Sequence, residues 1–128
     1  MKIPTLKETM LPRHTNARGT IFGGEILANI DLAAYMATRE YVAHSSQSPA
    51  HDYATKAMRE VVFIAPVYVG DLVSYYTEIV NEGRTSLTIR VEVESQRFED
   101  PTEVVKVTAA EVIYVAIDTE GRPTPLRG

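Results

Sequence analysis

The residue with the clearest chemical potential is Asp31, the only carboxylate in the apolar stretch from Ile26 to Thr38. A carboxylate can act as a general base or a nucleophile, but burying one is costly unless it is paired or hydrogen-bonded. At helical spacing Asp31 lies among small and apolar residues, whereas Glu25, Asn29 and Glu40 gather on another side. A chemical role is therefore predicted for Asp31. The alternative is a structural carboxylate bonded to a neighbouring backbone group or arginine.

Two consecutive glycines, Gly23 and Gly24, stand where the helix that carries Asp31 is predicted to begin. Glycine lets another molecule approach exposed backbone N–H groups, and the N-terminus of a helix attracts negative charge. The pair therefore predicts a corner suited to an anion. The alternative is that the glycines only allow the helix to pack closely against a strand.

One long helix and a series of strands must position these groups. The apolar pattern predicts a helix from Phe22 to Ala43, and its apolar residues go most of the way round, so the rest of the chain must enclose it. Residues 87–94 alternate strictly between apolar and polar side chains, which is typical of a strand with one buried face. Four strands are predicted after the helix, at Ala54–Ala65, Asp71–Val80, Thr85–Arg97 and Glu103–Ile117.

These elements predict an α+β fold in which an antiparallel sheet wraps around one long central α-helix. A weaker first strand is expected within residues 2–10, at an edge because of Pro4. Compact turns predict that the last three strands form an antiparallel meander. A single domain is expected over residues 1–118, with a flexible C-terminal tail at residues 119–128. Three tyrosines of the predicted strands are interpreted as sheet packing, namely Tyr75, Tyr76 and Tyr114.

Composition limits the range of functions. The chain has 128 residues and a formal net charge of −4, without the basic cluster that nucleic-acid binding requires, so we expect no nucleic-acid partner. We see no export signal and no segment as long as a membrane span, and we expect a cytoplasmic protein without a membrane partner. There is no cysteine, and His14, His44 and His51 are not spaced for a metal on one helix face, so no metal site is predicted.

Three segments, taken in order, resemble the hotdog-fold acyl-CoA thioesterases, in particular the small cytosolic acyl-CoA hydrolases. They are NARGTIFGG at residues 16–24 followed by Asp31, FIAPVYVGD at residues 63–71, and GRTSL at residues 83–87 with VEV at residues 91–93. Together they cover most of residues 16–94. One departure is Glu25, where members of the family often carry a bulky or aromatic residue, and this difference is expected to alter the shape of the pocket.

The resemblance implies a site shared between two subunits, with the acyl-CoA thioester between them. Asp31 of one subunit would face Asn16 and the glycine corner, Gly23 and Gly24, of its partner. Asp31 would act as base or nucleophile, the glycine N–H groups would receive the developing oxyanion, and Asn16 would orient water or the carbonyl. Water activation and attack to form a mixed anhydride both need an ionised carboxylate, and we favour water activation.

The phosphates of CoA require local cations on a protein with a negative net charge. Arg84, beside Thr85 and Ser86 in a predicted hairpin, is the best-placed cation, and Arg59 is a further one. The alternative for each of these charges is a solvated residue at the edge of a strand.

The activity implied by the resemblance is hydrolysis of acyl-CoA to free acid and CoA. No cofactor is expected, because the CoA moiety belongs to the substrate. A shared site implies a homodimer or a larger homo-oligomer, such as a hexamer formed as a trimer of dimers. Two other functions stay open at this point: a non-catalytic acyl-CoA-binding or sensing subunit, and a hydratase or dehydratase of the same fold. Acyl chain length is not predicted, because it depends on side-chain packing around the pocket.

Overall fold

The computed structural model describes residues 2–43 and 50–127. In chain order it contains β1 (Ile3–Thr9), a 3-10 turn (Pro12–His14), α1 (Gly23–Ala43), β2 (Asp52–Arg59), β3 (Leu72–Glu82), β4 (Ser86–Gln96) and β5 (Val104–Ile117). The predicted helix and the last three predicted strands agree closely with these bounds. Within this part of the chain, no helix combines the length and apolar character needed to cross a bilayer.

All five strands pair in one antiparallel sheet, in the order β1-β3-β4-β5-β2. β3, β4 and β5 are neighbours in both sequence and space, so the predicted meander is confirmed. β1 and β2 lie at opposite edges of the sheet, and the segment between them, which contains α1, therefore has to cross it. The helix contacts all five strands. The predicted α+β architecture, with a sheet around one central helix, is confirmed.

The core lies between α1 and the inward face of the sheet. Ile30, Ala33 and Ala34 are fully buried on the helix, and the alternate apolar residues of β4 from residue 87 to residue 93 are fully buried opposite. Burying an isoleucine or leucine side chain stabilises a fold by roughly 1.5–3 kcal/mol, and the two alanines let the helix backbone approach the strands. This packing fixes the rotation of α1 about its axis, and hence the direction in which Asp31 points.

The prediction of a strand over Ala54–Ala65 is wrong at its C-terminal end. β2 stops at Arg59, because Glu60 has a positive φ of 61°, a backbone conformation that residues other than glycine rarely adopt. After Glu60 the chain makes only isolated bonds to the sheet. One of these joins the N–H of Ile64 to the carbonyl of Val107 at 2.8 Å.

Asp71 immediately precedes β3, and its buried carboxylate is the centre of a hydrogen-bond cluster. It is 1% exposed and accepts hydrogen bonds from the N–H groups of Tyr68 and Phe98, the hydroxyl of Ser95 and the guanidinium of Arg97, all between 2.8 and 3.0 Å. Burial raises the pKa of Asp71, but the four donors outweigh burial and the net pKa lies below its ordinary value. The cluster ties the β2–β3 connection to the end of β4.

Residues 119–127 contact the sheet. The side chain of Leu126 is 2% exposed, and its N–H donates to the carbonyl of Arg84 at 3.0 Å. Arg127 forms an ion pair with Glu82 at 2.7 Å. The flexibility expected of residues 119–128 stays a prediction, which amide hydrogen exchange at Leu126 would test.

Candidate active site

Asp31 lies near the middle of α1 and is half-buried. Its Oδ1 accepts a hydrogen bond from the hydroxyl of Thr55 at 2.8 Å and another from the hydroxyl of Tyr114 at 2.5 Å. The Tyr114 hydroxyl also lies 2.7 Å from the backbone carbonyl oxygen of Asp31. One oxygen of the carboxylate is therefore held between two hydroxyl donors from two different strands.

Strand pairing brings these hydroxyls together. Thr55 in β2 is directly opposite Tyr114 in β5, so both side chains lie on the sheet face that α1 covers. The ladder shifts immediately after Thr55, so that Lys56 is an extra residue and Ala57 takes the next pairing position. This β-bulge lets Thr55 and Met58 both face the helix, although an unbroken strand would place them on opposite faces.

The second carboxylate oxygen of Asp31, Oδ2, meets no hydrogen-bond donor within residues 2–43 and 50–127. An ionised carboxylate oxygen accepts hydrogen bonds readily, so Oδ2 is open to a water molecule or a substrate group. The two oxygens thus have different environments: Oδ1 is bonded to the protein and Oδ2 is available.

The phenol of Tyr114 is 2% exposed. Burial raises its pKa, and the hydrogen bond to Asp31 raises it further, so the hydroxyl keeps its proton and donates at neutral pH. The ring packs against that of Tyr35 on α1, with centroids 5.9 Å apart. The Tyr35 hydroxyl in turn donates to Asp52 at 2.6 Å and lowers the pKa of that carboxylate. The interpretation of Tyr114 as sheet packing missed its hydroxyl contact.

Asn16 organises the loop that leads into α1. Its Oδ1 accepts hydrogen bonds from the N–H groups of Arg18 at 2.8 Å and Thr20 at 3.2 Å, and its Nδ2 donates to the Thr20 hydroxyl at 2.8 Å. Gly19 has a φ of +84°, which lets the chain turn tightly inside this loop. Within the described residues of one chain, the Asn16 side chain has no hydrogen bond to Asp31.

Gly23 and Gly24 form the start of α1. Across the described residues neither N–H has an acceptor, as expected for the first turn of a helix. The ring of Phe63 lies 3.5 Å from the position a Cβ on Gly23 would take, whereas nothing lies within 4 Å of the corresponding position on Gly24. A pocket of about 450 Å³ opens beside Gly23, lined mainly by apolar residues with Arg18 among them. The start of α1 at Gly23 therefore lies at the edge of this pocket.

Within a single chain, Asp31 is distant from Gly23 and Gly24. They lie on one helix, and its rise of 1.5 Å per residue separates the Cα atoms of Asp31 and Gly23 by roughly 12 Å along the axis. A reacting carbonyl must lie within roughly 3–3.5 Å of both its attacking group and its oxyanion donors. One chain alone does not bring the carboxylate and the glycine donors to one carbonyl group.

Within the described residues, none of the predicted substrate-binding residues forms a hydrogen bond with the carboxylate of Asp31. Arg84 is exposed at the β3–β4 hairpin, and its guanidinium has no acceptor in the part of the chain that is described. The carbonyl groups of Thr85 and Ser86 are engaged in backbone hydrogen bonds. Arg59 donates to Glu111, its cross-strand neighbour in β5, at 3.1 and 3.2 Å. Arg84 is therefore a freer cation than Arg59.

Within the described residues, which do not include His44, the arrangement of side chains gives no support for histidine or metal chemistry. His14 is buried and its Nδ1 accepts the N–H of Leu11 at 3.0 Å, which closes the 3-10 turn. Over residues 2–43 and 50–127, no group of three or more histidine, aspartate or glutamate side chains is placed to hold a metal ion.

Comparison with known proteins gives one consistent picture. Residues 18–99 match the model of the Thioesterase superfamily. The chain is 35% identical over 123 residues to the acyl-CoA thioester hydrolase YciA of Salmonella typhimurium, covering 94% of this chain and 87% of that protein. Its fold is similar to that of Cj0915, a hexameric hotdog fold thioesterase of Campylobacter jejuni, with a TM-score of 0.82, 42% identity, and coverage of 96% and 89%. It is also similar to HI0827, a hexameric broad specificity acyl-coenzyme A thioesterase, with a TM-score of 0.82, 31% identity, and coverage of 98% and 82%.

Proposed function

The chain belongs to the Thioesterase superfamily, and from this premise we propose that it is an acyl-CoA thioester hydrolase whose reaction depends on Asp31. The family resemblance seen in the sequence is confirmed. The observation that carries the assignment of Asp31 is its carboxylate, with Oδ1 bonded to two hydroxyls and Oδ2 open. This arrangement orients a base while leaving one oxygen free to react.

In the proposed reaction, Oδ2 of Asp31 takes a proton from a water molecule as the water oxygen attacks the thioester carbon. The carbonyl electron pair moves onto oxygen, and the N–H groups of Gly23 and Gly24 stabilise the resulting oxyanion. The C–S bond then breaks, the free acid forms, and the CoA thiolate takes up a proton. The role of Asn16 is to orient the water or the carbonyl. No cofactor takes part in these steps.

Direct attack of Oδ2 on the thioester is the alternative route, and it would form a mixed anhydride on Asp31. The open oxygen suits both routes, and we favour water activation. Turnover in ¹⁸O-labelled water followed by peptide mass spectrometry tests the anhydride route. Label inside the peptide that contains Asp31 would identify an anhydride that water opens at the Asp31 carbonyl carbon, a result that water activation does not produce.

We propose that the active site is shared between two copies of the chain. The separation of roughly 12 Å between Asp31 and Gly23 along one helix supports this, and both Cj0915 and HI0827 are hexameric. In a homo-oligomer, Asp31 of one chain would meet Asn16 and the glycine corner of the partner. A hexamer built from three such dimers fits the same scheme.

Mixing two inactive variants tests the shared site. Asp31→Asn and Asn16→Ala chains that exchange subunits should regain activity, because some sites then combine an intact Asp31 with an intact Asn16. A control mixture of each variant with itself should stay inactive. If subunit exchange is verified by mass and no activity returns, the site lies within one chain.

For substrate binding we propose that Arg84, with Thr85 and Ser86, meets the phosphates of CoA. Arg84 is exposed and is adjacent to Thr85 and Ser86 in the sequence of the hairpin, which suits the binding of a charged, solvated group. Arg59 is a weaker contributor, because Glu111 already neutralises part of its charge.

The function itself is tested by following free thiol while the protein is incubated with acyl-CoAs of increasing chain length. We expect thiol release that depends on Asp31. Tight binding without thiol release would identify a non-catalytic acyl-CoA-binding subunit. Conversion of an enoyl-CoA without thiol release would identify a hydratase.

A further inference from the structure

We propose that Tyr114 is a positioning residue of this reaction. Its hydroxyl, together with that of Thr55, fixes the carboxylate of Asp31 so that Oδ2 is the oxygen that reacts. The inference rests on the proposed function and deepens it, because it names the residue that orients the base.

A carboxylate has two chemically equivalent oxygens, and its partners decide which of them can react. The terminal torsion of an aspartate is broad and roughly two-fold, so a carboxylate without fixed partners presents either oxygen in turn. At Asp31 two O–H donors meet the same oxygen, Oδ1, at 2.8 and 2.5 Å. These bonds distinguish the two oxygens and hold Oδ2 in one direction.

The two hydroxyl donors differ in how firmly the fold holds them. Thr55 is exposed and lies in β2, the edge strand of the sheet. Tyr114 lies in β5, between β4 and β2, and is 2% exposed. Its ring packs against Tyr35 of the same helix that carries Asp31, and its hydroxyl lies 2.7 Å from the Asp31 backbone carbonyl. The position of the Tyr114 hydroxyl is thus determined by the core, which makes it the principal orienting donor.

Other titratable groups lie near the site on α1 and β2. On α1 they are Tyr35 and Arg39, whose guanidinium lies 5.8 Å from the Tyr35 ring centre. On β2 the nearby carboxylate is Asp52, which accepts the hydrogen bond of Tyr35. None of these contacts involves the Tyr114 hydroxyl, so removing that hydroxyl leaves them in place. A change in the pH dependence of the reaction then reports on the bond to Asp31.

The test is Tyr114→Phe, which removes the hydroxyl and keeps the ring. We expect kcat to fall roughly 10-fold to 100-fold, the scale of a misplaced reacting group, while KM changes by less than about twofold. The acid limb of the kcat–pH profile should move to higher pH, because the ionised carboxylate has lost a donor and is protonated more easily.

Tyr75→Phe is the matched control. Tyr75 is a fully buried tyrosine of β3 whose hydroxyl lies 3.3 Å from Nδ2 of Asn29 and does not touch Asp31. This variant also loses a buried hydroxyl, so it should show a similar change in melting temperature with an unchanged kcat and pH profile. A purely structural role for Tyr114 would make the two variants behave alike.

A second substitution keeps the test decisive if Tyr114→Phe does not fold. Replacing Tyr114 by 3-fluorotyrosine keeps the ring and hydroxyl but makes the hydroxyl a stronger donor, so the acid limb should move to lower pH. Wild-type protein without thiol release would refute the proposed function. Active wild-type protein whose acid limb is unchanged by either substitution at Tyr114 would overturn this inference alone.

Discussion

Replacing Asp31 by asparagine tests the chemistry most directly, because it removes the charge and the basicity while keeping the volume. If the carboxylate deprotonates water, Asp31→Asn should lower kcat by roughly 10² to 10⁴, the scale of general-base contributions. This range corresponds to about 3–5 kcal/mol of activation free energy. Binding of acyl-CoA and the oligomeric state should persist, because neither depends on the proton transfer.

The hydrogen bonds to Asp31 also determine how much the Asp31→Asn substitution is expected to change the free energy of unfolding. An asparagine can place its carbonyl oxygen at the position of Oδ1 and keep the bonds from Thr55 and Tyr114, with its NH₂ group at the open Oδ2 position. Each bond loses its charge assistance, worth about 1 kcal/mol, so the free energy of unfolding should fall by at most about 2 kcal/mol. Asp31→Ala removes the acceptor itself and should be less stable than Asp31→Asn.

Thermal melting and turnover should be measured on the same preparation of each variant. Asp52→Asn is the control: it neutralises a carboxylate that also accepts a tyrosine hydroxyl, that of Tyr35 at 2.6 Å, and we expect its kcat to stay within about twofold of wild type. An Asp31→Asn variant that melts cooperatively and retains a near-normal kcat would refute the catalytic assignment, and Asp31 would then be a structural residue.

Three further predictions concern other parts of the molecule. Because the pKa of Asp71 lies below its ordinary value, its contribution to stability is present above about pH 4 and is lost as the pH falls further; the difference in melting temperature between wild type and Asp71→Asn should shrink along that pH range. Arg84→Ala should raise KM more than it lowers kcat, and an unchanged KM at low ionic strength would exclude Arg84 from phosphate binding. Gly70→Ala should cost more stability in denaturant titrations than Gly121→Ala, because both have positive φ but only the first places a Cβ 2.8 Å from Phe98.

Much of the fold is predictable because its signals are local. The alternation of residues 87–94 and the enclosed apolar helix depend on neighbours in the sequence, and both predictions agree with the structure. Asp31 is recognisable for a similar reason, since a lone carboxylate in an apolar stretch is anomalous by itself. Residues 112–117 of β5 are all apolar, so neither the inward position of Tyr114 nor its hydrogen bond follows from an alternating pattern.

The contacts that complete the site are not local. Thr55 and Tyr114 meet because β2 pairs with β5, and the whole β3–β4 hairpin lies between those strands in the chain. The overextended prediction for β2 has a comparable cause, because the positive φ of Glu60 has no signature in its side chain. The proposed sharing of the site between two copies is likewise not predictable from any pattern within one copy, and only the family resemblance suggested it.

The bulge at Lys56 has a consequence for how such chains change length during evolution. In a strand, inserting or deleting one residue normally inverts every side chain beyond it, which would turn core residues towards solvent. In an ordinary strand, residues that face the same side are an even number of positions apart. In β2 the bulge places one extra residue between the inward residues Thr55 and Met58. Loss of either Lys56 or Ala57 would restore ordinary alternation and leave Thr55 and Met58 facing the helix, so the bulge can absorb a deletion that the rest of the strand cannot.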